Sequence, residues 1–324
     1  MSETTAFIER QGGPEVIEWR EVELPPPGPG EVRMRNTAVG LNFIDTYHRG
    51  GLYPVTLPSG LGMEAAGLVE AVGQGVTGFA PGDRVCTFMG PGAYATARNL
   101  PAAALFRIPD GVSDEIAAAA LLKACTVEAL VERCARVEAG WPVLVHAAAG
   151  GVGLVLVQWL KHVGAKVIGT VSTDAKAEAA REAGAEHVIR YDRDAVAPKV
   201  RELTGGNGVR AIFDGVGKDT WQASLDSAAP RAIIVSFGNA SGAVEGVNLG
   251  VLAQKGSLFV TRPTLFDYYR VPGEAAAGVG RVFDLIRNGV LTVTIGQTYP
   301  LREAARAHRD LEARSTTGST ILIP

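Results

Sequence analysis

Two regimes of hydrophobic patterning divide the chain. From residue 1 to about 120, short β-branched runs such as Glu31 to Ala38 and Ala66 to Val72 alternate with Gly- and Pro-rich turns. Pro25-Pro26-Pro27-Gly28-Pro29-Gly30 reads as a rigid loop, and Gly78 to Val85 as a turn feeding a strand. This grammar predicts an antiparallel β-barrel, not alternating βα units. The pattern changes near Ser113. Ser113-Asp114-Glu115 predicts the cap of a helix through the Ala-rich 116–122 stretch, with a second helix over Thr126 to Arg136. From Val143 the two periods alternate. Strands are expected at Val143–Ala147, Lys166–Val171, His187–Arg190, Ala211–Asp214 and Ile233–Phe237. Helices are expected at Gly153–Val163, Ala175–Ala183 and Asp194–Thr204. Such alternation predicts an α/β chain with a doubly wound parallel sheet. After about residue 262 the chain is expected to return to its first domain. The predicted division is thus 1–122 with 263–324, and 123–262.

A length of 324 residues fits two domains, and 47% hydrophobic residues suffice for two cores. The net charge of −3 and a pI near 6.0 argue against nucleic acid as a partner. Met1-Ser2-Glu3-Thr4-Thr5 lacks the basic and apolar regions of a signal peptide. The longest apolar stretch, Ile116 to Leu122, is far too short to span a bilayer, so no membrane association is expected. Cys86, Cys125 and Cys134 form no CxxC pair, which points to a reduced cytoplasm.

The strongest chemical signal is Val143-Leu-Val-His-Ala-Ala-Ala-Gly-Gly-Val-Gly153. Ala148-x-Gly150-x-x-Gly153 lies between a predicted strand and a predicted helix, which is the dinucleotide fingerprint with alanine in its first place. Gly150 lets backbone approach a pyrophosphate, and Gly153 lets helix and strand pack closely. The helix start supplies N–H groups and the positive dipole end. The next strand is followed by Ser172-Thr173-Asp174-Ala175-Lys176, with no carboxylate at Ser172, where an NAD site usually has one. Ser172 and Lys176 suit a 2′-phosphate, Tyr191 adds a phenolic donor, and Asp174 is expected to cap the helix at Ala175. The pattern favours NADPH.

Metal chemistry lacks its ligands. No histidine lies near Glu64, no cysteine precedes residue 86, and no four cysteines cluster. There is no GxSxG nucleophile elbow, and His146, beside the glycine loop, is expected to pack or hydrogen-bond. His48, His162, His187 and His308 show no partner pattern and are read as surface or structural residues.

Asn42-Phe-Ile-Asp-Thr-Tyr-His-Arg-Gly-Gly-Leu-Tyr53 and Leu61-Gly-Met-Glu-Ala-Ala-Gly67 resemble the signature of the zeta-crystallin-like quinone oxidoreductases. Gly82-Asp-Arg-Val85, His146 to Gly153, Val235-Ser-Phe-Gly-Asn239 and Gln254 to Pro263 match as well, so the likeness spans essentially the whole chain. The resemblance implies a Rossmann domain plus a GroES-like β-barrel catalytic domain, in the zinc-free branch of the medium-chain dehydrogenase/reductases. In zinc alcohol dehydrogenases a ligand cysteine stands at the position of Asn42 and a ligand histidine at that of Met63.

The resemblance also implies roles. Asn42 and Tyr47 would approach the nicotinamide and its ribose, with Thr126 alongside and Lys123 nearby. Gly150, Gly151, Val152 and Gly153 would hold the pyrophosphate. Ser172, Thr173, Lys176, Tyr191 and Arg314 would surround the 2′-phosphate. Phe237, Gly238, Asn239 and Arg262 would complete the cleft, and Tyr53 would line the substrate pocket. The implied reaction is NADPH-dependent quinone reduction by one or two electrons, with a homodimer joined through the strand near Ser257 to Thr261. Two rivals stand beside it: reduction of an enone or alkenal double bond, and a non-catalytic NADPH-binding protein of crystallin or RNA-binding type.

Overall fold

The computed structural model describes residues 2–324. They form two compact units, residues 2–122 with 293–324 and residues 123–292. The boundary at 292 corrects the expectation that the chain leaves the second domain at 262. Tyr269 Oη donates to Glu128 at 3.0 Å, Arg281 pairs with Glu132 at 3.1 Å, and Gln158 Nε2 donates to the Thr292 carbonyl at 3.1 Å. These bonds tie residues 265–292 to the second unit.

The first unit opens with strands β1 (Ser2–Ile8), β2 (Glu18–Glu23) and β3 (Glu31–Leu41), then helix α1 (Phe43–Gly50). Strands β4 (Ser59–Gly60), β5 (Glu64–Val72), β6 (Arg84–Thr87), β7 (Ala97–Pro101) and β8 (Phe106–Arg107) follow. Helix α2 (Asp114–Glu128) begins where Ser113 Oγ accepts the Ile116 N–H at 3.2 Å. It continues as a π-helical stretch over Ala129–Ala135, so the two helices expected at 116–122 and Thr126–Arg136 are one continuous rod. The run Ala117 to Cys125 is buried throughout, Lys123 included, and contains no Gly or Pro, which leaves no reason for a break.

The second unit carries strands β9 (Pro142–Val145), β10 (Lys166–Val171), β11 (His187–Arg190), β12 (Val209–Asp214), β13 (Ala228–Ser236) and β14 (Phe259–Thr261). Between and after them come α3 (Gly151–Val163), α4 (Asp174–Ala183), α5 (Val196–Leu203), α6 (Trp221–Ser227), α7 (Gly250–Gln254), α8 (Leu265–Tyr268) and α9 (Glu274–Arg287). All six strands are parallel, in the order β11-β10-β9-β12-β13-β14. In sequence terms that is 3-2-1-4-5-6, the doubly wound order whose reversal lies between β9 and β12. Leu144, Ile168, Ile189, Val209, Ile212 and Ile234 bury the sheet against its helices. Each such side chain contributes roughly 1.5–3 kcal/mol of burial.

The chain ends in the first unit with β15 (Ile295–Pro300), α10 (Ala304–Glu312) and β16 (Ser319–Ile323). A seven-stranded sheet runs β15-β16-β3-β5-β6-β8, with β7 also on β3, and a three-stranded sheet runs β2-β1-β4. Every pairing here is antiparallel except β15 with β16. Ile8, Met34, Leu41, Leu61, Val85, Tyr94 and Leu322 form one apolar core across both sheets.

Candidate functional site

Five residues, His146 to Gly150, join β9 to α3. Ala147 sits in the left-handed region at φ 51°, and its carbonyl accepts the Gly150 N–H at 3.0 Å. Gly150 is the helix N-cap, and the helical ladder starts with Leu154 N–H to the Gly150 carbonyl at 2.9 Å. The N–H groups of Gly151, Val152 and Gly153 precede that ladder, at the positive end of the helix dipole. A Cβ on Gly153 would overlap the Ala147 carbonyl oxygen and come within 2.8 Å of the Ala148 carbonyl carbon. Loop and helix can pack only over bare backbone there. A Cβ on Gly150 would meet one atom, the Ala147 oxygen at 3.3 Å. Internal packing scarcely demands glycine at 150, whereas a ligand lying on the backbone does. The cradle fits a dinucleotide pyrophosphate.

Beneath the loop runs a buried polar chain. Asp214, at the end of β12, accepts from Val216 N–H, Gly217 N–H, Thr220 Oγ1 and Ser224 Oγ at 2.8–3.0 Å. Ser224 spends its one proton on that carboxylate, so at 3.1 Å it accepts from His146 Nε2–H. His146 Nδ1 is then the acceptor for Thr170 Oγ1, also at 3.1 Å. Burial keeps the His146 pKa below its ordinary value, with Asp214 opposing that shift. The imidazole thus stitches the ends of β9, β10 and β12 together, as its expected hydrogen-bonding role requires. The same end of the sheet carries Arg262, whose Nη1 donates to the Ser236 carbonyl at 3.0 Å and the Gly238 carbonyl at 2.9 Å. Asn239 accepts from Arg262 Nη2 at 2.9 Å. Phe237 N–H donates to the Asp214 carbonyl at 2.8 Å, which presses this loop onto β12.

After β10 the structure corrects one assignment. Thr173, not Asp174, caps α4: Thr173 is extended at φ −138° and accepts the Lys176 N–H at 3.2 Å. Asp174 instead pairs with Arg190, and with Arg193 at 3.0 Å. Two guanidinium groups offer it charge-assisted partners that a cap position does not. The Arg190 hydrogen bond is the main cause holding the Asp174 pKa below the usual carboxylate range. Asp174 is largely exposed, so the pair adds little stability. Its consequence is local: Arg190 bridges Asp174 and Asp192, and Arg193 also meets Asp174, which fixes the ends of β10 and β11 to each other. Ser172 and the half-exposed Tyr191 lie at the same two strand ends. Arg190 and Arg193 were not among the expected site residues. Their signal, Arg190-Tyr191-Asp192-Arg193 just past a predicted strand, was present.

In the first unit Asn42 is the N-cap of α1, and Asp45 accepts the Asn42 backbone N–H at 2.9 Å. Asn42 Nδ2 donates to Glu64 Oε2 at 2.8 Å, while Glu64 Oε1 accepts the Leu122 N–H at 2.6 Å. A Cβ on Gly40 would overlap the Ala118 carbonyl oxygen and lie 2.8 Å from Glu64 Cδ, so glycine there makes room for the buried carboxylate. Tyr47 and Tyr53 meet edge to face, with centroids 5.1 Å apart, and Phe43 lies 6.2 Å from Tyr47. Lys123 is buried and Thr126 half-buried on α2, within the second unit. Arg314 follows α10 in the first unit, left-handed at φ 59°. Sequence reasoning also missed His308, which is buried in hydrogen bonds to Arg49 and Tyr94.

Among the described residues, no three His, Cys, Asp or Glu side chains cluster as a metal-binding set, and no helix is long and apolar enough to cross a membrane. Residues 28–110 match the alcohol dehydrogenase GroES-like domain and residues 151–268 the zinc-binding dehydrogenase domain. A quinone oxidoreductase of Pseudomonas aeruginosa is 53% identical over 315 residues, covering 97% of each chain. A 2-haloacrylate reductase of a Burkholderia species is 46% identical over 330 residues, covering 98% of each. The crystal structure of Escherichia coli quinone oxidoreductase complexed with NADPH matches with a TM-score of 0.96 at 47% identity, over 99% of this chain and 100% of that one. With likeness of this degree along its whole length, and with both domain types matched, the chain belongs to the quinone oxidoreductase family of the medium-chain dehydrogenase/reductases.

Proposed function

We propose that the chain is an NADPH-dependent, zinc-independent quinone reductase. The β9–α3 junction carries the reading: Gly150 leaves bare backbone beside three N–H groups at a helix start, and no carboxylate stands at Ser172. Gly150, Gly151, Val152 and Gly153 hold the pyrophosphate. Ser172, Thr173, Lys176, Tyr191 and Arg314 receive the 2′-phosphate, and Phe237, Gly238, Asn239 and Arg262 line the nucleotide. Asn42, Tyr47, Lys123 and Thr126 serve the nicotinamide end. Bound NADPH supplies reducing equivalents from its nicotinamide. A quinone is already a strong acceptor, so the protein contributes orientation and exclusion of water more than acid strength. Asn42, anchored on Glu64, keeps a second amide proton for an oxygen on which charge develops, and Tyr53 lines the acceptor pocket.

The relative named 2-haloacrylate reductase favours a second reading, reduction of an activated C=C bond. That reaction also needs a proton delivered to the α-carbon. For assembly, we propose a cytoplasmic homodimer joined along β14, the sheet edge on which Phe259 is 63% and Val260 39% exposed.

The test is a titration with NADPH and NADH, followed by an acceptor panel of naphthoquinones and enones. Lys176→Ala should cost NADPH affinity about 1–3 kcal/mol and leave NADH unchanged. Equal losses for both cofactors would remove Lys176 from the 2′-phosphate. Turnover of enones alone would replace the quinone reading with the second one.

A further inference from the structure

Helix α1 begins at the Asn42 cap, carries Tyr47 and is followed by Tyr53. Its orientation is set by a buried chain of polar groups that the proposed reaction does not itself use. Arg49, on α1, is 4% exposed, and its Nη1 lies 3.0 Å from His308 Nδ1 on α10. A guanidinium can only donate, so Nδ1 carries no proton and the neutral ring holds its proton on Nε2. Nε2 lies 2.9 Å from Tyr94 Oη and donates to it. Tyr94 then spends its own proton on Asp45 Oδ2 at 3.0 Å. The same Asp45 oxygen accepts the Asn42 backbone N–H at 2.9 Å.

Every donor in this chain has one direction: Arg49 to His308, His308 to Tyr94, Tyr94 to Asp45. A buried cation and a buried carboxylate are thereby joined through two neutral relays. Arg49 is anchored further by Glu312 at 2.6 Å and by the Gly12 carbonyl at 3.0 Å. Apolar side chains could fill this volume at no desolvation cost, as replacement of other buried ion pairs shows. A polar chain adds direction, because it works at one rotation and one register of α1 against α10. Its end point is the residue whose amide meets Glu64.

We infer that His308 and Tyr94 are positioning residues: through Asp45 they hold the start of α1, and with it the Asn42 amide, in the geometry the reduction needs. The inference rests on the reading of Asn42 and Tyr47 as functional residues. It predicts a loss in kcat with nucleotide binding preserved, since misplacing an orienting group by a fraction of an ångström slows the step it serves.

The experiment compares wild type with Tyr94→Phe, His308→Leu and His308→Gln. NADPH Kd, kcat and KM for a naphthoquinone, and Tm are measured for each. Gln presents an oxygen that can accept from Arg49 and an N–H that can donate to Tyr94, so it restores the relay where Leu cannot. The expected result is a kcat lower by about tenfold in His308→Leu and Tyr94→Phe, with NADPH Kd unchanged and kcat largely recovered in His308→Gln. Wild-type kcat in His308→Leu, or His308→Gln no faster than His308→Leu, would overturn the inference. If His308→Leu does not fold, Tyr94→Phe decides, because it loses a single hydroxyl: an unchanged kcat there overturns the inference and a tenfold fall upholds it. A wild type active on enones and not on quinones removes the quinone reading alone. The same variants are then read on the enone, with the same fall expected. A wild type that reduces neither class overturns both.

Discussion

Asn42 Nδ2 lies 2.8 Å from Glu64 Oε2, and the second oxygen of that carboxylate takes the Leu122 N–H at 2.6 Å. Both Glu64 oxygens therefore face donors, in a site with no solvent exposure. Glu64→Gln keeps the size and removes this match, because one of the two donors must then face an NH₂ group. The Asn42 amide can turn over to relieve the conflict, which aims it the wrong way for an acceptor. The expected outcome is a loss of about 1–3 kcal/mol in stability and a fall in kcat. Thermal melts and steady-state kinetics check it. A variant with wild-type Tm and kcat would show that the pairing is incidental.

Gly150 and Gly153 should separate binding from folding. Gly153→Ala drives a methyl into the Ala147 carbonyl, so Tm should fall and nucleotide binding should fail with it. Gly150→Ala puts its methyl 3.3 Å from the same oxygen, a contact that a small shift relieves. The fold should tolerate it, with a Tm near wild type, while NADPH affinity drops because the methyl occupies the approach to the backbone. Calorimetric titration of both variants tests the distinction. If Gly150→Ala binds NADPH like the wild type, the pyrophosphate does not lie on that residue.

Legibility followed the range over which each signal acts. The strands at Lys166–Val171 and His187–Arg190 were readable to the residue, because short apolar runs end in turn residues on both sides. The fingerprint from Ala148 to Gly153 was readable because its chemistry is local. Assigning the α4 cap to Asp174 erred by one residue: Thr173 and Asp174 are both good caps, and only the distant Arg190 and Arg193 decide between them. His308 was unreadable for a stronger reason. Its partners, Arg49 and Tyr94, lie 259 and 214 residues away, and in sequence it is one polar residue on an Ala-rich amphipathic helix. Glu64 gave equally little local warning, since its partners Asn42 and Leu122 lie 22 and 58 residues away.

The buried histidines make the fold sensitive to mild acid. Burial pushes the His308 pKa down to about 3, with Arg49 adding to the shift, and burial also lowers His48 and His146. The unfolded chain binds protons at these sites from its ordinary value near 6.5 downward, and the folded chain does not. Stability is therefore fully present above about pH 6.5 and lost as pH falls towards 3. Glu3 and Asp83, held down chiefly by hydrogen bonds from Arg35 and Arg107, add their loss only near and below ordinary carboxylate values. Melts between pH 7.5 and 5.5 (roughly the imidazole range) isolate the histidines. His308→Gln should flatten the slope by up to about 1.4 kcal/mol per pH unit. An identical slope in wild type and variant would mean that His308 is protonated in the fold.

Arg98 is a half-buried cation that the barrel leaves poorly matched. Its Nε and Nη2 are shielded from solvent and have no hydrogen-bond partner among the described residues, and Nη1 reaches only the Gly90 carbonyl at 3.4 Å. On β7 it stands opposite the fully buried Met34 of β3, and its guanidinium reaches the Gly90–Gly92 loop. Burial lowers its pKa to about 10, still charged at neutral pH. Taking a charge out of water without a partner costs several kcal/mol, whereas a thioether of similar length carries no such penalty. Arg98→Met should therefore stabilise the fold by about 1–3 kcal/mol, read as a higher Tm, because the desolvation cost disappears and one long hydrogen bond is lost. A lower Tm would mean that the guanidinium finds an anion in solution. In that case the melting temperature of the wild type, and not of the variant, should climb with added carboxylate or phosphate.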